Sequence, residues 1–253
     1  MTDRAAGFFG PPGEGLSWRR YGRLALLGAL GAAGMLTGDL CLSVIPAGAG
    51  DSGLFAREVY LSGSYPPWRL TLPLGTGLVG MALCAFAVWV CWVQILPRHI
   101  WLRRGAAAGG VIYLTSAGVL HFHIGSLADW TSTLAPLLGR EETAALIAEK
   151  YARLAPALTF SYGGMFLLML VNFWAAAAKK TVLPRWMLVF PLIPVQLALM
   201  LIPDVRQALG AAVSTWDFVL SQGSGNAGLL CWMLANALWA RRQEKREVTH
   251  HEC

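Results

Sequence analysis

The stretch Gly118-Val119-Leu120-His121-Phe122-His123-Ile124-Gly125-Ser126-Leu127-Ala128-Asp129-Trp130 closes an apolar run that begins at Gly105. The run is long enough to cross a bilayer, because about 20 apolar residues in a helix span the hydrocarbon core. It therefore places two histidines, His121 and His123, inside the membrane. An ionisable side chain at that depth is unfavourable and commonly marks a functional site. The alternative is a structural hydrogen bond to a neighbouring helix, which polar residues in membrane bundles often make.

The composition of the whole chain is typical of a membrane protein. Of its 253 residues, 56% are hydrophobic and only 13% are charged, and the mean hydropathy is +0.52. These values exceed what a soluble core requires. The formal net charge of +6 comes from basic residues grouped beside apolar runs, with no basic patch interleaved with aromatic residues. The expected partner is therefore the lipid bilayer, and nucleic acid is not expected.

The apolar runs predict an all-α, polytopic membrane protein with six transmembrane helices. The predicted spans are 22–46, 72–96, 105–130, 157–178, 186–202 and 225–240. They divide the chain into an N-terminal tail at 1–21, a six-helix domain at 22–240 and a basic tail at 241–253. Two amphipathic stretches, 141–154 and 205–220, predict helices that lie on the outer membrane surface.

The distribution of basic residues predicts the orientation. If both termini are cytoplasmic, 14 of the 20 lysines and arginines fall on the inner side of the membrane. Short loops rich in lysine and arginine stay in the cytoplasm, so this count favours that arrangement. The prediction is a multi-pass protein of the bacterial inner (plasma) membrane with both termini inside. The three outer connections are long, which suggests a cavity that opens outward.

Three side chains are predicted to share one layer near the outer boundary. Asp39 lies seven residues before Pro46, His121 a similar distance before the end of its span, and Tyr162 about five residues inside the fourth span. At 1.5 Å per residue these groups lie roughly 8–11 Å below the boundary. A carboxylate can orient an imidazole and raise its basicity, as general acid–base catalysis or a metal ligand requires. Tyr162 would donate a proton or hold a substrate oxygen.

Other residues complete the candidate site. Glu58, in the first outer connection, is a fourth catalytic candidate. A metal centre formed by His121 and His123 is not expected, because residues two apart on a helix face directions about 200° apart. Five cysteines lack metal-ligand or redox spacing, so neither a metal nor a cofactor is predicted. The substrate-binding candidates are His123, Gln196, Trp216, Asn226 and Arg69.

Three short motifs carry a resemblance to a known family. They are Gly38-Asp39-Leu40 near the end of the first span, Pro66-Pro67-Trp68-Arg69-Leu70 before the second, and Leu183-Pro184-Arg185-Trp186-Met187 at the start of the fifth. In these motifs the chain resembles a family of uncharacterised bacterial membrane proteins with six spans. The resemblance would cover most of the chain and implies no established activity.

The sequence leaves three classes of function open. The first is a membrane-embedded enzyme that uses acid–base chemistry, as an isomerase, cyclase or hydrolase, on an apolar or amphipathic small molecule. The second is a small proton-coupled transporter, in which the same residues relay protons. The third is a structural accessory subunit of a membrane complex. The sequence contains no nucleophile elbow, phosphate-binding glycine loop or selectivity filter.

Overall fold

The helices of the computed structural model account for most of the residues that it describes, which are 10–48, 51, 57–189, 199, 201–203, 205–206, 208–212 and 214–251. They are α1 (Trp18–Ser43), α2 (Glu58–Leu61), α3 (Pro67–Val93), α4 (Ile100–Leu138), α5 (Arg140–Ala177) and α6 (Thr215–His251), with a 3₁₀ turn at Arg185–Val189. Within these ranges there is no strand. The all-α prediction is confirmed for this part of the chain.

Four of these helices are long and apolar enough to cross a membrane: α1, α3, α4 and α5. They overlap the first four predicted spans and indicate a membrane-embedded protein. Most of the fifth predicted span, 186–202, lies outside the described residues. The sixth lies within α6, which is not among the four because asparagines and glycines lower its hydropathy. The count of six spans therefore stays a prediction.

Glycines let neighbouring helices approach until their backbones touch. A Cβ atom on Gly31 of α1 would lie 2.7 Å from the backbone nitrogen of Cys84 on α3. A Cβ atom on Gly109 of α4 would lie 2.6 Å from the backbone nitrogen of Leu168 on α5. Small residues permit such contact, and the dispersion energy it provides drives helix association in lipid. The chain thus forms two tightly packed antiparallel pairs, α1 with α3 and α4 with α5.

Helix α6 lies antiparallel to α1 over the full length of α1. At one end Gly22 contacts Ala240, and the Tyr21 hydroxyl donates a hydrogen bond to the Asn236 side chain. At the other end the Thr215 hydroxyl donates to the carbonyl of Ile45, with an O···O distance of 2.8 Å. Five long helices therefore enclose a common interior.

One end of the bundle collects basic side chains and is called the basic end below. Here α3 meets the turn after α5, with the Leu96 amide donating to the Lys180 carbonyl at 2.9 Å. The start of α1 meets α6, and Arg19 lies 3.9 Å from Glu244. Helix α6 continues as far as His251, so the described residues of the predicted basic tail are helical. The opposite end of the bundle is called the far end.

At the far end the structure differs from the predicted surface helix at 141–154. These residues are helical, but they form the first turns of α5, which runs unbroken through Pro156 to Ala177. Helix α4 likewise continues to Leu138, and Gly139, with φ of 90°, joins the two helices. On the apolar face that suggested a membrane surface, Ile147 is buried against residues of α2 and α4 and Leu154 is partly buried, whereas Tyr151 is exposed.

Side chains from the connection after α1 cap the carbonyls at the far end of α1. Helix ends leave their last carbonyls without partners inside the helix. Arg57 donates to the carbonyls of Ser43 and Ile45 at 3.2 and 2.6 Å, and its side chain is fully buried. Three more side chains donate to carbonyls at this end of α1: Tyr65 to that of Cys41, Tyr60 to that of Leu42, and Arg69 to that of Val44. These bonds fix the end of α1 that carries Asp39.

Candidate functional site

A cavity of about 80 Å³ lies inside the bundle between α1, α4, α5 and α6, toward the far end. One part of its wall is polar and the rest is apolar, with Leu42, Ile124 and Leu158 among the apolar residues. Its polar lining is Asp39, Tyr113, His121, Ser161, Tyr162, Ser221, Gln222, Ser224 and Asn226. A volume of this size admits a few water molecules or one small group of a larger molecule.

Asp39 and His121 face each other across this cavity. The Nε2 atom of His121 lies 3.8 Å from the Oδ1 atom of Asp39. This distance allows a close ion pair if the imidazole is protonated, and it is too long for a direct hydrogen bond. One bridging water, or a small rotation of either side chain, would connect the two groups.

Asn226 of α6 holds the other oxygen of the same carboxylate. Its Nδ2 atom donates to Oδ2 of Asp39 with a distance of 2.7 Å. This bond leaves Oδ1 directed toward His121. The structure therefore places Asn226, which we predicted to bind substrate, as a partner of Asp39 in the cavity wall.

Local sequence explains why His121 can enter this space. Gly77 of α3 lies directly beside it, and a Cβ atom on Gly77 would be 3.2 Å from Cβ of His121. Any larger residue at 77 would crowd the imidazole. His123, two residues further along α4, is exposed, and its Nδ1 atom lies 2.9 Å from the carbonyl oxygen of Val119 in its own helix.

Tyr162 lines the cavity from α5 and is also accessible from outside the bundle. Half of its side chain is exposed, at 50%, while the neighbouring Ser161 is buried. In a bilayer the exposed side of such a residue would meet lipid. Tyr162 thus stands at the boundary between the cavity and the surroundings of the bundle.

The other predicted site residues lie away from the cavity lining. Glu58 is exposed and lies 3.4 Å from Arg140, at the joint between α4 and α5. Arg69 caps the carbonyl of Val44, and Trp216 is exposed at 70%. Gln196 lies outside the described residues. The structure therefore brings together Asp39, His121, Tyr162 and Asn226, whereas Glu58, Arg69, His123 and Trp216 do not join them.

Sequence reasoning missed several polar residues of the cavity. Ser161, Gln222 and Ser224 carry small or neutral groups that membrane helices tolerate at many positions, so none stands out in the sequence. Tyr113 lies near the middle of its span and has no charged neighbour in the chain. A useful signal was available at 221–226, where Ser-Gln-Gly-Ser-Gly-Asn is unusually polar beside an apolar run.

A second buried polar network lies near the basic end. The Tyr21 hydroxyl donates to the side-chain oxygens of Gln94, at 3.3 Å, and of Asn236. Gln94 in turn donates to the side chain of Asn172. These four side chains join α1, α5 and α6 to the C-terminal end of α3, and each is at most 4% exposed. Along α1, Tyr21 and Asp39 are 18 residues apart, so the two polar layers are separated by about 27 Å.

Among the residues that the structure describes, no group of three or more His, Cys, Asp or Glu side chains lies close enough together to hold a metal ion. The chemistry available in the cavity is therefore that of a carboxylate, an imidazole, two phenols, hydroxyls and amides. These groups exchange and hold protons.

Comparison with known proteins places the chain in a family. A family model described as a family of unknown function (DUF6796) matches residues 12–243. The chain belongs to this family. The match includes all the residues that line the cavity and both buried polar layers. No curated protein and no solved structure matches the chain.

Proposed function

We propose that this protein is a membrane-embedded enzyme that uses acid–base chemistry on an apolar or amphipathic small molecule. The observation that carries the proposal is the 3.8 Å approach of His121 to Asp39 inside a cavity with apolar walls. Buried ionisable pairs in transmembrane helices are rare and tend to be functional. A lipophilic substrate suits the site because Leu42, Ile124 and Leu158 would contact its apolar part.

In the proposed reaction His121 takes a proton from the substrate and returns it at another atom. Asp39 would stabilise the imidazolium formed in the first step, as carboxylates paired with histidine do in other acid–base sites. Asn226 would keep the carboxylate in that orientation through its bond to Oδ2. Tyr162 would donate a hydrogen bond to a substrate oxygen. Isomerisation, cyclisation and hydrolysis each proceed by such proton transfers.

The proposal includes six spans with both termini in the cytoplasm of a bacterium. Support comes from the two ends of the bundle: Trp186 packs edge-to-face against Trp239 at the basic end, and Thr215 contacts Ile45 at the far end. One crossing between these two contacts would bring the total to six, counted together with the four helices and α6. The basic end would face the cytoplasm by the positive-inside rule, so the cavity would lie in the outer half.

The test compares lipid extracts of cells that overproduce the protein or a variant. We expect His121→Ala and Asp39→Asn each to abolish a change in the lipid profile that the unaltered protein produces, detected by mass spectrometry with chromatographic separation of isomers. His123→Ala is the matched control, since it is the same substitution on the same helix at an exposed position. Cells that produce His123→Ala should have the same lipid profile as cells that produce the unaltered protein.

Thermal unfolding of the same purified variants separates catalysis from stability. Loss of activity in a His121→Ala protein that unfolds close to the normal temperature supports the catalytic role. If His121→Ala and Asp39→Asn only lower the unfolding temperature, and the folded fraction keeps its activity, the pair is structural. The accessory-subunit hypothesis would then be favoured.

A proton-coupled carrier is the second candidate, and the two polar layers favour it. Tyr113 and Met165 line both the main cavity and a smaller, mostly apolar cavity that reaches Asn172 of the second layer. A carrier needs polar groups at more than one depth. Proteoliposomes that enclose a pH-sensitive dye distinguish the two candidates. If substrate drives proton movement and Asp39→Asn abolishes it, the carrier is supported. If no proton movement occurs but a chemical product forms, the enzyme is supported.

A further inference from the structure

A wide groove runs along the outside of the bundle between α1 and α3. It has a volume of about 580 Å³, and its walls include Leu30, Trp68, Val79 and Leu83. From Trp68 to Leu83 the groove follows 15 residues of α3, or about 22 Å. One leaflet contributes roughly 15 Å of hydrocarbon. The groove is therefore long enough to hold a fatty acyl chain over the full thickness of one leaflet.

The groove is separate from the cavity that holds Asp39. On α1 the groove is lined by Leu30 and Gly34, whereas the cavity is lined by Met35 and Asp39. Gly34 and Asp39 are five residues apart, which places them about 140° apart around the helix. The groove therefore faces away from the bundle interior.

A cationic group stands at the far end of the same face of α1. Positions 30, 34, 37, 41 and 44 follow helical spacing, so Val44 continues the face that lines the groove. Arg69 donates to the Val44 carbonyl with one nitrogen at a distance of 2.6 Å. No carboxylate of the described residues forms an ion pair with Arg69, in contrast to Arg57, which pairs with Asp51 at 3.2 Å.

The guanidinium of Arg69 retains donors for an anion. It has five N–H groups in a planar fork that matches a phosphate. The guanidinium carbon lies 5.8 Å from the ring centre of Trp68, which is exposed at the mouth of the groove. Tryptophan at this position is typical of the headgroup level of a bilayer. A cation at the headgroup level above an apolar groove matches a phospholipid in both charge and shape.

We infer that the α1–α3 groove is a specific phospholipid site, in which Arg69 binds the phosphate and the groove holds one acyl chain. The lipid would come from the leaflet at the far end. This inference requires membrane embedding but not the proposed enzymatic activity, because the groove and the cavity lie on different faces of α1.

Gly75 offers a variant that fills the groove without a clash in the fold. It lines the groove, and nothing lies within 4 Å of a Cβ atom built on it. Gly163 of α5 is the matched control, since it is also exposed and has no atom within that distance. Both Gly→Leu substitutions favour the helix equally. Only Gly75→Leu blocks the groove.

The experiment measures lipid binding to the full-length protein in mild detergent by native mass spectrometry. The probes are dioleoyl phosphatidylglycerol and dioleoylglycerol, which share acyl chains and differ in the phosphate. We expect one phosphatidylglycerol per protein. Arg69→Gln should weaken its binding about tenfold or more, since one charge-assisted hydrogen bond is worth that much. Gly75→Leu should also weaken it, because the leucine side chain occupies the space of the acyl chain. Arg69→Lys should bind better than Arg69→Gln, and Gly163→Leu should bind normally.

Several outcomes would overturn the inference. Phosphatidylglycerol binding that Gly75→Leu leaves unchanged would show that the groove does not hold the chain. Equal binding of dioleoylglycerol would remove the role of the phosphate. A dimer of the unaltered protein that Gly75→Leu converts to a monomer, with no change in bound lipid, would assign the groove to a second copy of the chain.

Discussion

The contact between α4 and α5 at Gly109 gives a sharp test of the packing. A methyl group added there would lie 2.6 Å from the backbone nitrogen of Leu168 and 2.8 Å from the carbonyl oxygen of Gly164. Both neighbours are backbone atoms in the middle of a helix, so neither can rotate aside. Gly109→Ala should therefore force the two helices apart.

The size of the effect follows from these distances. To restore ordinary contact the helices must separate by about 0.8 Å, and a gap of that size forfeits roughly a quarter to a half of the dispersion energy across the contact. Overpacking of this kind costs about 1–3 kcal/mol. Alanine favours the helix over glycine by about 0.5–1 kcal/mol, which offsets part of the loss. We expect Gly109→Ala to lower the free energy of unfolding by about 0.5–2 kcal/mol.

Thermal unfolding in one detergent is the assay, and Gly163→Ala is the control on the same pair of helices. Gly163 has open space around it, so its alanine variant should gain the helix contribution without a clash. The two variants should differ by about 1–3 kcal/mol, which corresponds to roughly 2–12 °C in the unfolding midpoint for a chain of this length. If Gly109→Ala unfolds at or above the midpoint of Gly163→Ala, the close packing of α4 on α5 is refuted.

Two further predictions concern the far end. Arg57→Gln should lower the free energy of unfolding by about 3–5 kcal/mol, because it leaves the buried carboxylate of Asp51 without its charged partner. Denaturant unfolding measures this loss, and a loss below about 1 kcal/mol would contradict the prediction. Burial alone would raise the pKa of Asp217, but hydrogen bonds from Ser214 and the charge of Arg206 lower it below its ordinary value. Its contribution to stability is therefore present above the pKa of the unfolded chain and is lost as the pH falls through the folded pKa, so Asp217→Asn should flatten the decline in unfolding temperature below about pH 5.

The shared level of the cavity residues along the bundle could be predicted from the sequence, because a helix converts residue number directly into distance along its axis. The layer that contains Asp39, His121 and Tyr162 depends only on the 1.5 Å rise. Depth says nothing about rotation around the axis, so the partnership of Asn226 with Asp39 could not be predicted. The catalytic role of these residues remains a prediction.

Two other features were hidden for different physical reasons. The amphipathic pattern at 141–154 is the same whether its apolar face meets lipid headgroups or the protein, and here Ile147 packs against the protein. The capping of α1 by Arg57 could not be predicted, because its partners at the end of α1 are backbone carbonyls, which every residue possesses. A side chain that binds main-chain groups leaves no complementary residue in the sequence.

The α4–α5 hairpin gives this small protein a feature useful for imaging. Its helices have 39 and 38 residues, or about 57 Å, against a hydrocarbon core of about 30 Å. The connection that follows α2 packs against the far-end part of the hairpin, where Gly63 lies close to Pro136, so this part should move as one body with the bundle. Gly139 at the tip is exposed and has no atom within 4 Å of an added Cβ. A folded domain or an antibody fragment attached at this tip would add mass and a recognisable outline to a 27.3 kDa chain that a detergent micelle otherwise largely hides from single-particle electron microscopy.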